Sequence, residues 1–462
     1  MILNPLTGAL KYLGSGLFNT LLALVFFIVA AHYTTPAFVG KVAIIQLLEV
    51  VTALVLVFLP QQLVTRDIAE SVGSGKPDHE LVGTALSLSL LTAPAFLFLL
   101  FFPEYVWLSI PYLFLYLYST YQSTVMSGRG KFTEANIGYV IFSTSRWGFS
   151  LIAVIYHSIF MFILIWTLGT LARVIYQQFT IGKSSFAFSK GKFLETFRVG
   201  LPLYLSNVSN LFASQGDRLS TAFLLGSYSL GIYQLMVLIA GVPNTLIGSI
   251  TQAILPATTY YKARGHGLLT MSSISFRLMM MLSVIATIVS IAIAPPVVVK
   301  FFPQYVSGVP SLELLLFALL LATPFGALVN FVVVVRKGFR PLLVLSVLDA
   351  ALVIITSIIL IPRIGIFGAA ISQAIVQGVY AAYITVLAQR EGAFHMGRLE
   401  ALTVLSVLSL ALIPIAWEAS LVVYLILIRT LGTFTKNDLS VINQFLPDRL
   451  KFITTILKPL AK

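Results

Sequence analysis

Long apolar stretches recur from one end of the chain to the other, separated by short segments that contain charged residues, glycine or proline. Each stretch is close to the length of about 20 residues that a helix needs to cross a bilayer. Strict alternation of polar and apolar positions is missing, which favours helices over the alternating strands of a membrane barrel. The pattern predicts roughly fourteen spans, at 9–31, 42–65, 81–102, 105–125, 135–156, 159–181, 199–225, 228–255, 271–294, 311–335, 342–361, 365–388, 400–416 and 418–434.

Composition supports a membrane protein. Hydrophobic residues make up 58% of the chain and charged residues only 10%, whereas an ordinary soluble protein has about 25% charged residues. The chain has no cysteine, which excludes thiol catalysis and thiolate metal sites. We therefore expect an all-α polytopic membrane protein.

The positions of the basic residues predict how the chain is oriented. When successive loops are assigned to opposite sides of the membrane, only Lys41, Lys300 and Arg363 of the 29 lysines and arginines fall on one side. Five more lie within spans: Arg146, Arg173, Arg218, Arg277 and Arg429. The others all fall on the opposite side, so the positive-inside rule predicts a multi-pass protein of the cell membrane with both termini cytoplasmic. Because this bias accounts for most of the net charge of +13, a nucleic-acid partner is not expected.

The spans divide into two groups of six. We predict an N-terminal lobe at 1–181, a basic cytoplasmic linker at 182–198, a C-terminal lobe at 199–388, two additional short helices at 389–434 and a cytoplasmic tail at 435–462. The tail mixes apolar and basic residues, which is compatible with an amphipathic helix on the inner leaflet or with a poorly ordered basic segment. A parallel repeat of two halves is a usual construction for transporters. Three pairs align when the halves are superposed: Gly40 with Gly231, Ser15 with Ser206, and Asn19 with Asn210.

No large extramembrane domain is evident, which favours a transporter over an enzyme. A membrane glycosyltransferase or polymerase would need a carboxylate cluster in a loop, and the only such cluster carries no recognisable motif: Asp67, Glu70, Asp78 and Glu80. The five histidines are scattered over loops on both sides. We therefore expect no catalytic residues, no metal and no cofactor.

The seventh span carries a polar face. Its members follow one another at steps of three or four, apart from one adjacent pair, and so share one side of a helix: Tyr204, Asn207, Asn210, Ser214, Asp217, Arg218 and Thr221. Such a face cannot contact lipid, so it lines water, contacts a polar substrate or is satisfied by neighbouring helices. The alternative for Asp217 and Arg218 is an ion pair that locks the bundle.

A second candidate site centres on Arg146, which lies about eleven residues into the fifth span, too deep to reach the interface easily. It is the best candidate for a cation that faces a cavity, and the alternative is a salt bridge to Glu49 or another carboxylate. Glu49 shares a short polar face with Gln46 and Thr52. It either takes up a proton in a coupling cycle or neutralises Arg146.

Other polar residues within spans have simpler explanations. Arg173 and Arg277 lie nearer to cytoplasmic ends, where we expect them to snorkel, and Glu313 lies near an outer end, where we expect it to be solvated. Asp349 repeats the ambiguity of Glu49 in the second half. The tyrosines of the fourth span suit either stacking on sugars or ordinary interfacial packing: Tyr112, Tyr116, Tyr118 and Tyr121.

Two segments resemble the polysaccharide-type flippases of the multidrug/oligosaccharidyl-lipid/polysaccharide (MOP) exporter superfamily. The first has a Gly-x-Pro entry to the seventh helix, Asp-Arg-Leu near its outer end, a Leu-Gly turn and a Leu-Gly-Ile-Tyr opening of the eighth helix. These are Gly200 and Pro202, Asp217 to Leu219, Leu225 and Gly226, and Leu230 to Tyr233. The second segment, 361–373, is similar to the link between the eleventh and twelfth helices and contains Pro362, Gly365, Gly368, Ala369 and Ala370.

The resemblance implies two six-helix lobes around a central cavity that opens alternately to each side. It implies outward movement of an oligosaccharide linked to a polyprenyl phosphate or pyrophosphate, with the bilayer, that lipid-linked glycan and glycan-assembly enzymes as partners. The predicted substrate-binding residues are Arg146, Arg218, Asp217, Asn207, Asn210, Ser214, Tyr204 and Glu49. The chain departs from the lipid II flippases in having no interior arginine on its first, second and eighth spans. The alternative within the superfamily is a cation-coupled multidrug exporter, for which Glu49 is the possible coupling carboxylate.

Overall fold

The computed structural model describes residues 5–182, 187–263, 268–336, 340–433, 435–436, 438–439 and 458–460. Within these ranges the chain is helical and contains no strand, so the predicted all-α membrane fold is confirmed. Most of the predicted tail, including the proposed amphipathic helix, lies outside the described residues. Two compact units are present, Met1–Leu235 and Met236–Lys462, and the predicted lobe boundaries remain predictions.

The helices are numbered in chain order. The first nine are α1 Pro5–Tyr33, α2 Pro36–Val55, α3 Gln61–Gly73, α4 His79–Leu91, α5 Glu104–Trp107, α6 Ile110–Gly128, α7 Phe132–Ser143, α8 Leu151–Ile155 and α9 Ile159–Ile181. The others are α10 Lys190–Ala263, α11 Leu268–Phe301, α12 Val309–Arg336, α13 Arg340–Ile364, α14 Ile366–Arg390, α15 Arg398–Ser406 and α16 Trp417–Leu431. A 3₁₀ segment, Ala93–Phe101, continues α4, and a π-helical turn, Thr144–Phe149, joins α7 to α8.

Nine helical segments of the described chain are long and apolar enough to cross a membrane. One of them covers 190–245 and contains the break between the predicted seventh and eighth spans. Helices also occupy the predicted first, fourth, thirteenth and fourteenth spans, although these are shorter or less apolar over their described parts. The fold is therefore that of a multi-span helical protein, and the number fourteen stays a prediction.

Glycine produces the turn between the seventh and eighth spans. Gly226 has φ 78° and ψ −174°, a conformation open almost only to glycine, and it interrupts α10 where the Leu-Gly pair predicted a turn. Gly365, in the second motif, has φ 63° and precedes α14. Backbone conformation therefore requires glycine at these two motif positions.

The predicted second span, 42–65, has the wrong boundaries. The helix begins earlier, at Pro36, because Thr35 caps it by accepting a hydrogen bond from the Phe38 amide at 3.4 Å. It ends at Val55, and a separate helix, α3, starts after Pro60 and fills much of the segment that was expected to be a loop. Proline lacks an amide hydrogen and disfavours a helical residue before it, so the apolar run does not continue as one helix.

Each unit has its own apolar core. In the first unit, aromatic side chains pack together, including Phe26, Phe27, Trp147, Phe162 and Trp166. In the second unit, α11 to α14 and α16 enclose a core that contains Phe276, Phe331 and Tyr424.

The two glycines that the repeat alignment equates lie against each other where α2 meets α10. A Cβ atom on Gly40 would overlap the Ser227 carbonyl and lie 3.0 Å from the Gly231 nitrogen. A Cβ atom on Gly231 would overlap the Pro36 carbonyl and lie 2.9 Å from the Gly40 nitrogen. Two helix backbones are therefore in direct contact, as small residues allow in membranes.

Gly40→Ala is expected to destabilise the protein by about 1–3 kcal/mol, because the added methyl group forces α2 and α10 apart. The matched control is Gly241→Ala on α10, where a Cβ atom meets nothing within 4 Å and alanine is the better helix former. Thermal unfolding of both purified variants checks this. Equal transition temperatures for the two variants would contradict the close packing.

Candidate functional site

Arg146 and Glu49 form a buried ion pair inside the first unit. One guanidinium nitrogen lies 2.6 Å from Glu49 Oε2 and the other donates to Oε1 at 3.0 Å. The two residues are only 8% and 6% exposed. The hydroxyl of Tyr112, on α6, donates to the same carboxylate at 2.5 Å. This geometry corresponds to the salt-bridge alternative for Arg146, since the guanidinium already has an anionic partner.

Aromatic rings enclose the guanidinium of Arg146. Its central carbon lies 4.5 Å from the centre of the Trp147 ring, 4.4 Å from that of Trp166 and 5.2 Å from that of Phe142, within the range of cation–π attraction. The π-helical turn carries both Arg146 and Trp147, and the Trp166 indole donates to the Arg146 carbonyl at 2.7 Å. The arrangement ties α2, α6, α7 and α9 together through one charged group.

The polar face of α10 contains both satisfied and unsatisfied groups. The Tyr204 hydroxyl donates to the Val55 carbonyl at 2.8 Å, which caps the free C-terminal end of α2. Ser214 donates to the Asn210 carbonyl of its own helix at 2.7 Å. The amide side chains of Asn207, half-buried, and Asn210, exposed, form no hydrogen bond with any described residue. These two amides are available to a ligand.

Asp217 and Arg218 do not pair through their side chains. Asp217 is 2% exposed, and its carboxylate accepts from the Tyr233 hydroxyl at 2.6 Å and from the Arg218 backbone amide at 2.8 Å. The Arg218 guanidinium reaches only neutral oxygens, those of Gln234 and of the Ser214 carbonyl, both at 3.4 Å. Among the described residues, no carboxylate lies within ion-pairing distance of Arg218. The predicted alternative of an Asp217–Arg218 ion pair is therefore wrong.

Helix α2 connects to both arginines. Gln234 links Arg218 to Gln46 of α2 through its amide, which donates at 3.5 Å, while Glu49 of the same helix holds Arg146. Five of the eight predicted site residues thus fall into two groups. Glu49 and Arg146 form a closed, neutralised pair, whereas Asn207, Asn210 and Arg218 keep polar groups free along one helix.

Two buried arginines have partners that were not predicted, so the expectation that they snorkel is wrong. Arg173 is 6% exposed and donates to Ser123 at 2.8 Å. Arg277 binds Glu400 of α15, and also Asp438 at 2.7 Å. All three partners are distant in sequence from their arginines, and nothing in the local pattern marks them as contacts. The polar residues of α6 and α9, such as Gln122 and Gln177, were the available signal for the first network.

In the first unit, Arg129 donates to both carboxylate oxygens of Asp78, at 2.7 and 3.0 Å. These hydrogen bonds hold the pKa of Asp78 below its ordinary value. The pair joins the start of α4 to the end of α6. In the part of the chain that is described, no three histidine, aspartate or glutamate side chains come together as a metal site requires.

Comparisons with known proteins agree with this fold. Residues 6–262 match the family model described as polysaccharide biosynthesis protein. The structure of the lipid II flippase MurJ in an inward closed conformation matches with a TM-score of 0.67 at 14% identity, covering 91% of this chain and 98% of that one. The MATE multidrug transporter DinF-BH matches with a TM-score of 0.55 at 16% identity, covering 84% of this chain and 96% of that one. A crystal structure of MATE has a TM-score of 0.50 at 16% identity, over 81% of this chain and 95% of that one. No curated protein matches the chain by sequence.

The fold is that of a multi-pass helical membrane protein, and it is the architecture of the solved MurJ flippase and MATE transporter structures. The chain belongs to the polysaccharide biosynthesis protein family. The predicted resemblance to polysaccharide-type flippases is confirmed. The motif of the seventh and eighth helices that carries it lies within the matched residues 6–262.

Proposed function

We propose that this protein flips a lipid-linked oligosaccharide from the inner to the outer leaflet of the cell membrane by alternating access. Membership of a polysaccharide biosynthesis family supports a glycan cargo, and similarity to a lipid II flippase supports a lipid-linked one. The sugar and phosphate head group would cross within the protein, and the polyprenyl tail would stay in lipid. The protein is a transporter with no reaction of its own, and its partners are the glycan-assembly enzymes that make the cargo.

The observation that carries the proposal is that Arg218 has no acidic partner among the described residues. A half-buried arginine in a membrane helix without an acidic partner is costly unless an anion joins it. A guanidinium matches the oxygens of a phosphate, with which it forms charge-assisted hydrogen bonds. The free amides of Asn207 and Asn210 lie on the same helix face, where they would hydrogen-bond sugar hydroxyls. The hydroxyls of Ser214 and Tyr204 already donate hydrogen bonds within the protein, so these residues form part of the same face without donating to the cargo.

Arg146 has a different role in this proposal. Its guanidinium is bound by Glu49 and enclosed by aromatic rings, so it organises the helices and does not bind phosphate. Glu49 is likewise committed to Arg146 and Tyr112. Asp217 supports the site indirectly, because it accepts hydrogen bonds from Tyr233 and from the backbone of Arg218.

The membrane potential is a sufficient driving force. Moving one elementary charge through 100 mV is worth about 2.3 kcal/mol, so a head group with two negative charges gains roughly 5 kcal/mol on leaving an inside-negative cell. The outward direction follows from the negative charge of the head group and the inside-negative sign of the potential. No coupling ion is needed for this energy.

Arg218→Gln is expected to slow flipping by about 10- to 100-fold, since a hydrogen bond to a charged group contributes about 1.5–3 kcal/mol. The measurement is the rate at which a pyrophosphate-linked oligosaccharide becomes accessible to an external glycan-modifying enzyme in vesicles that contain the purified protein. A membrane potential set by a potassium gradient should accelerate the wild type and reverse its direction when its sign is reversed.

The matched control is Arg198→Gln, an exposed arginine on the same helix, which should transport at the wild-type rate. Retained transport by Arg218→Gln in folded protein would remove the phosphate role. Loss of transport in both variants would show a general sensitivity of α10 to lost charge.

A further inference from the structure

A cavity of about 480 Å³ lies within the second unit, and none of its lining residues belongs to the proposed transport site. Its walls come from α11, α12, the segment before α16, and the start of α16. Most of its lining is aliphatic, including Leu410 and Ile413. A mostly apolar cavity with a few polar groups is the usual form of a small-molecule site.

The carboxyl group of Glu313 is the charged group of this cavity. It is half-buried, and no described residue donates a hydrogen bond to it or forms an ion pair with it. The sequence predicted that Glu313 is solvated near the outer end of its span. In the structure it is one of the residues that line the cavity. A carboxylate against an apolar wall favours a ligand that brings positive charge.

Two consecutive prolines leave carbonyl groups of their helix without the usual amide donors. Pro295 and Pro296 lie inside α11 and have no amide hydrogen, so the carbonyls four residues earlier lose their helical partners. Those carbonyls belong to Ile291 and Ala292, and both residues line the cavity. Released carbonyls in a membrane require another donor. The cavity is therefore lined by one carboxylate and by two residues whose carbonyls lack their usual amide donor four residues later.

The rest of the lining is suited to a cation on an apolar body. Trp417 and Phe317 supply aromatic faces, which attract cations, and the indole N–H of Trp417 is the only side-chain donor among the lining residues. A divalent metal would require about six oxygen ligands and so fits poorly. An anion would be repelled by Glu313.

We propose that this cavity binds a primary ammonium group carried on an apolar body, with the ammonium hydrogens directed to Glu313 and to the carbonyls of Ile291 and Ala292. Phosphatidylethanolamine supplies this chemistry within a membrane, and a soluble alkylamine supplies it from water. The proposal concerns a bound ligand, separate from the transported cargo, and does not depend on the proposed function.

Matched ligand pairs test the requirement for N–H donors. The purified full-length protein is titrated by native mass spectrometry with phosphatidylethanolamine and phosphatidylcholine of identical acyl chains, and separately with dodecylamine and dodecyltrimethylammonium. Within each pair, the second ligand keeps the positive charge of the first but has no N–H donor. We expect about tenfold or stronger preference for the N–H ligand in at least one pair. Preference in the lipid pair identifies a membrane source, and preference in the amine pair alone identifies a soluble source.

Two variants and a control test whether the preference for N–H ligands arises in this cavity. Glu313→Gln should abolish it, and Pro296→Ala should weaken it several-fold, because the new amide hydrogen returns to the Ala292 carbonyl without any change of charge. Glu418→Gln, an exposed carboxyl outside the lining, should behave as wild type. The proposal is overturned if the wild type prefers neither N–H ligand, or if a folded Glu313→Gln or Pro296→Ala variant keeps the full preference.

Discussion

Glu49→Ala is expected to destabilise the first unit by about 3–5 kcal/mol, because it leaves the Arg146 guanidinium buried without its counter-charge. The aromatic rings around Arg146 offset only part of this cost, since each cation–π contact contributes about 0.5–2 kcal/mol. Tyr112 would also lose the acceptor of its hydroxyl. Unfolding in mixed micelles, followed through tryptophan fluorescence, measures the change directly, because Trp147 and Trp166 contact the guanidinium.

The double variant Glu49→Ala with Arg146→Met separates the lost pair from the unpaired charge. Removing both ions should recover most of the lost stability, since an apolar replacement of a buried pair is often neutral. Asp67→Ala, which breaks an ion pair with the exposed Arg66, should change stability by less than about 1 kcal/mol. If Glu49→Ala were no more destabilising than Asp67→Ala, the buried pair would not organise these helices.

Arg277→Ala is expected to destabilise the second unit by a similar amount, about 3–5 kcal/mol, for the opposite electrostatic reason. Glu400 and Asp438 are 4% and 2% exposed, and both bind the one guanidinium. Removing it leaves two buried carboxyl groups without a cation. The arginine also joins α11 to α15 and to the segment that follows α16, so its loss disconnects elements that are far apart in the sequence. The measurement is the same mixed-micelle unfolding experiment.

Graded variants check the assignment of this cluster. Asp438→Asn should be milder than Arg277→Ala, because Glu400 keeps its bond to Arg277. Lys192→Met, which breaks an exposed i,i+3 pair with Glu195, should remain within about 0.5 kcal/mol of wild type. Equal effects of Arg277→Ala and Lys192→Met would show that the buried cluster adds no stability.

These two clusters show how the chain pairs its buried charges. Arg146 and Arg277 are each held by carboxylates on other helices. Arg218 has only neutral partners among the described residues. All three arginines lie within predicted spans, so residues of the same type have different roles. The absence of an acidic partner is what makes Arg218 the candidate for cargo binding.

Much of the architecture could be predicted because it depends on local properties. Apolar stretches of spanning length must form helices, since lipid leaves no other partner for the backbone. The turn at Gly226 was predictable because only glycine readily adopts its conformation. The break at Pro60 was missed because the apolar run continues through it, although the missing amide hydrogen was visible in the sequence.

The amino-acid sequence alone was enough to establish a helical membrane protein, its family resemblance and the polar face from Tyr204 to Thr221, because hydropathy and helical periodicity act over a few turns. The pairing of its charges depended on tertiary structure. Glu49 and Arg146 are 97 residues apart, and Arg277 and Asp438 are 161 residues apart. Long-range packing decides which buried charge is neutralised and which stays available, since ion pairing depends on distances between helices that no local pattern specifies.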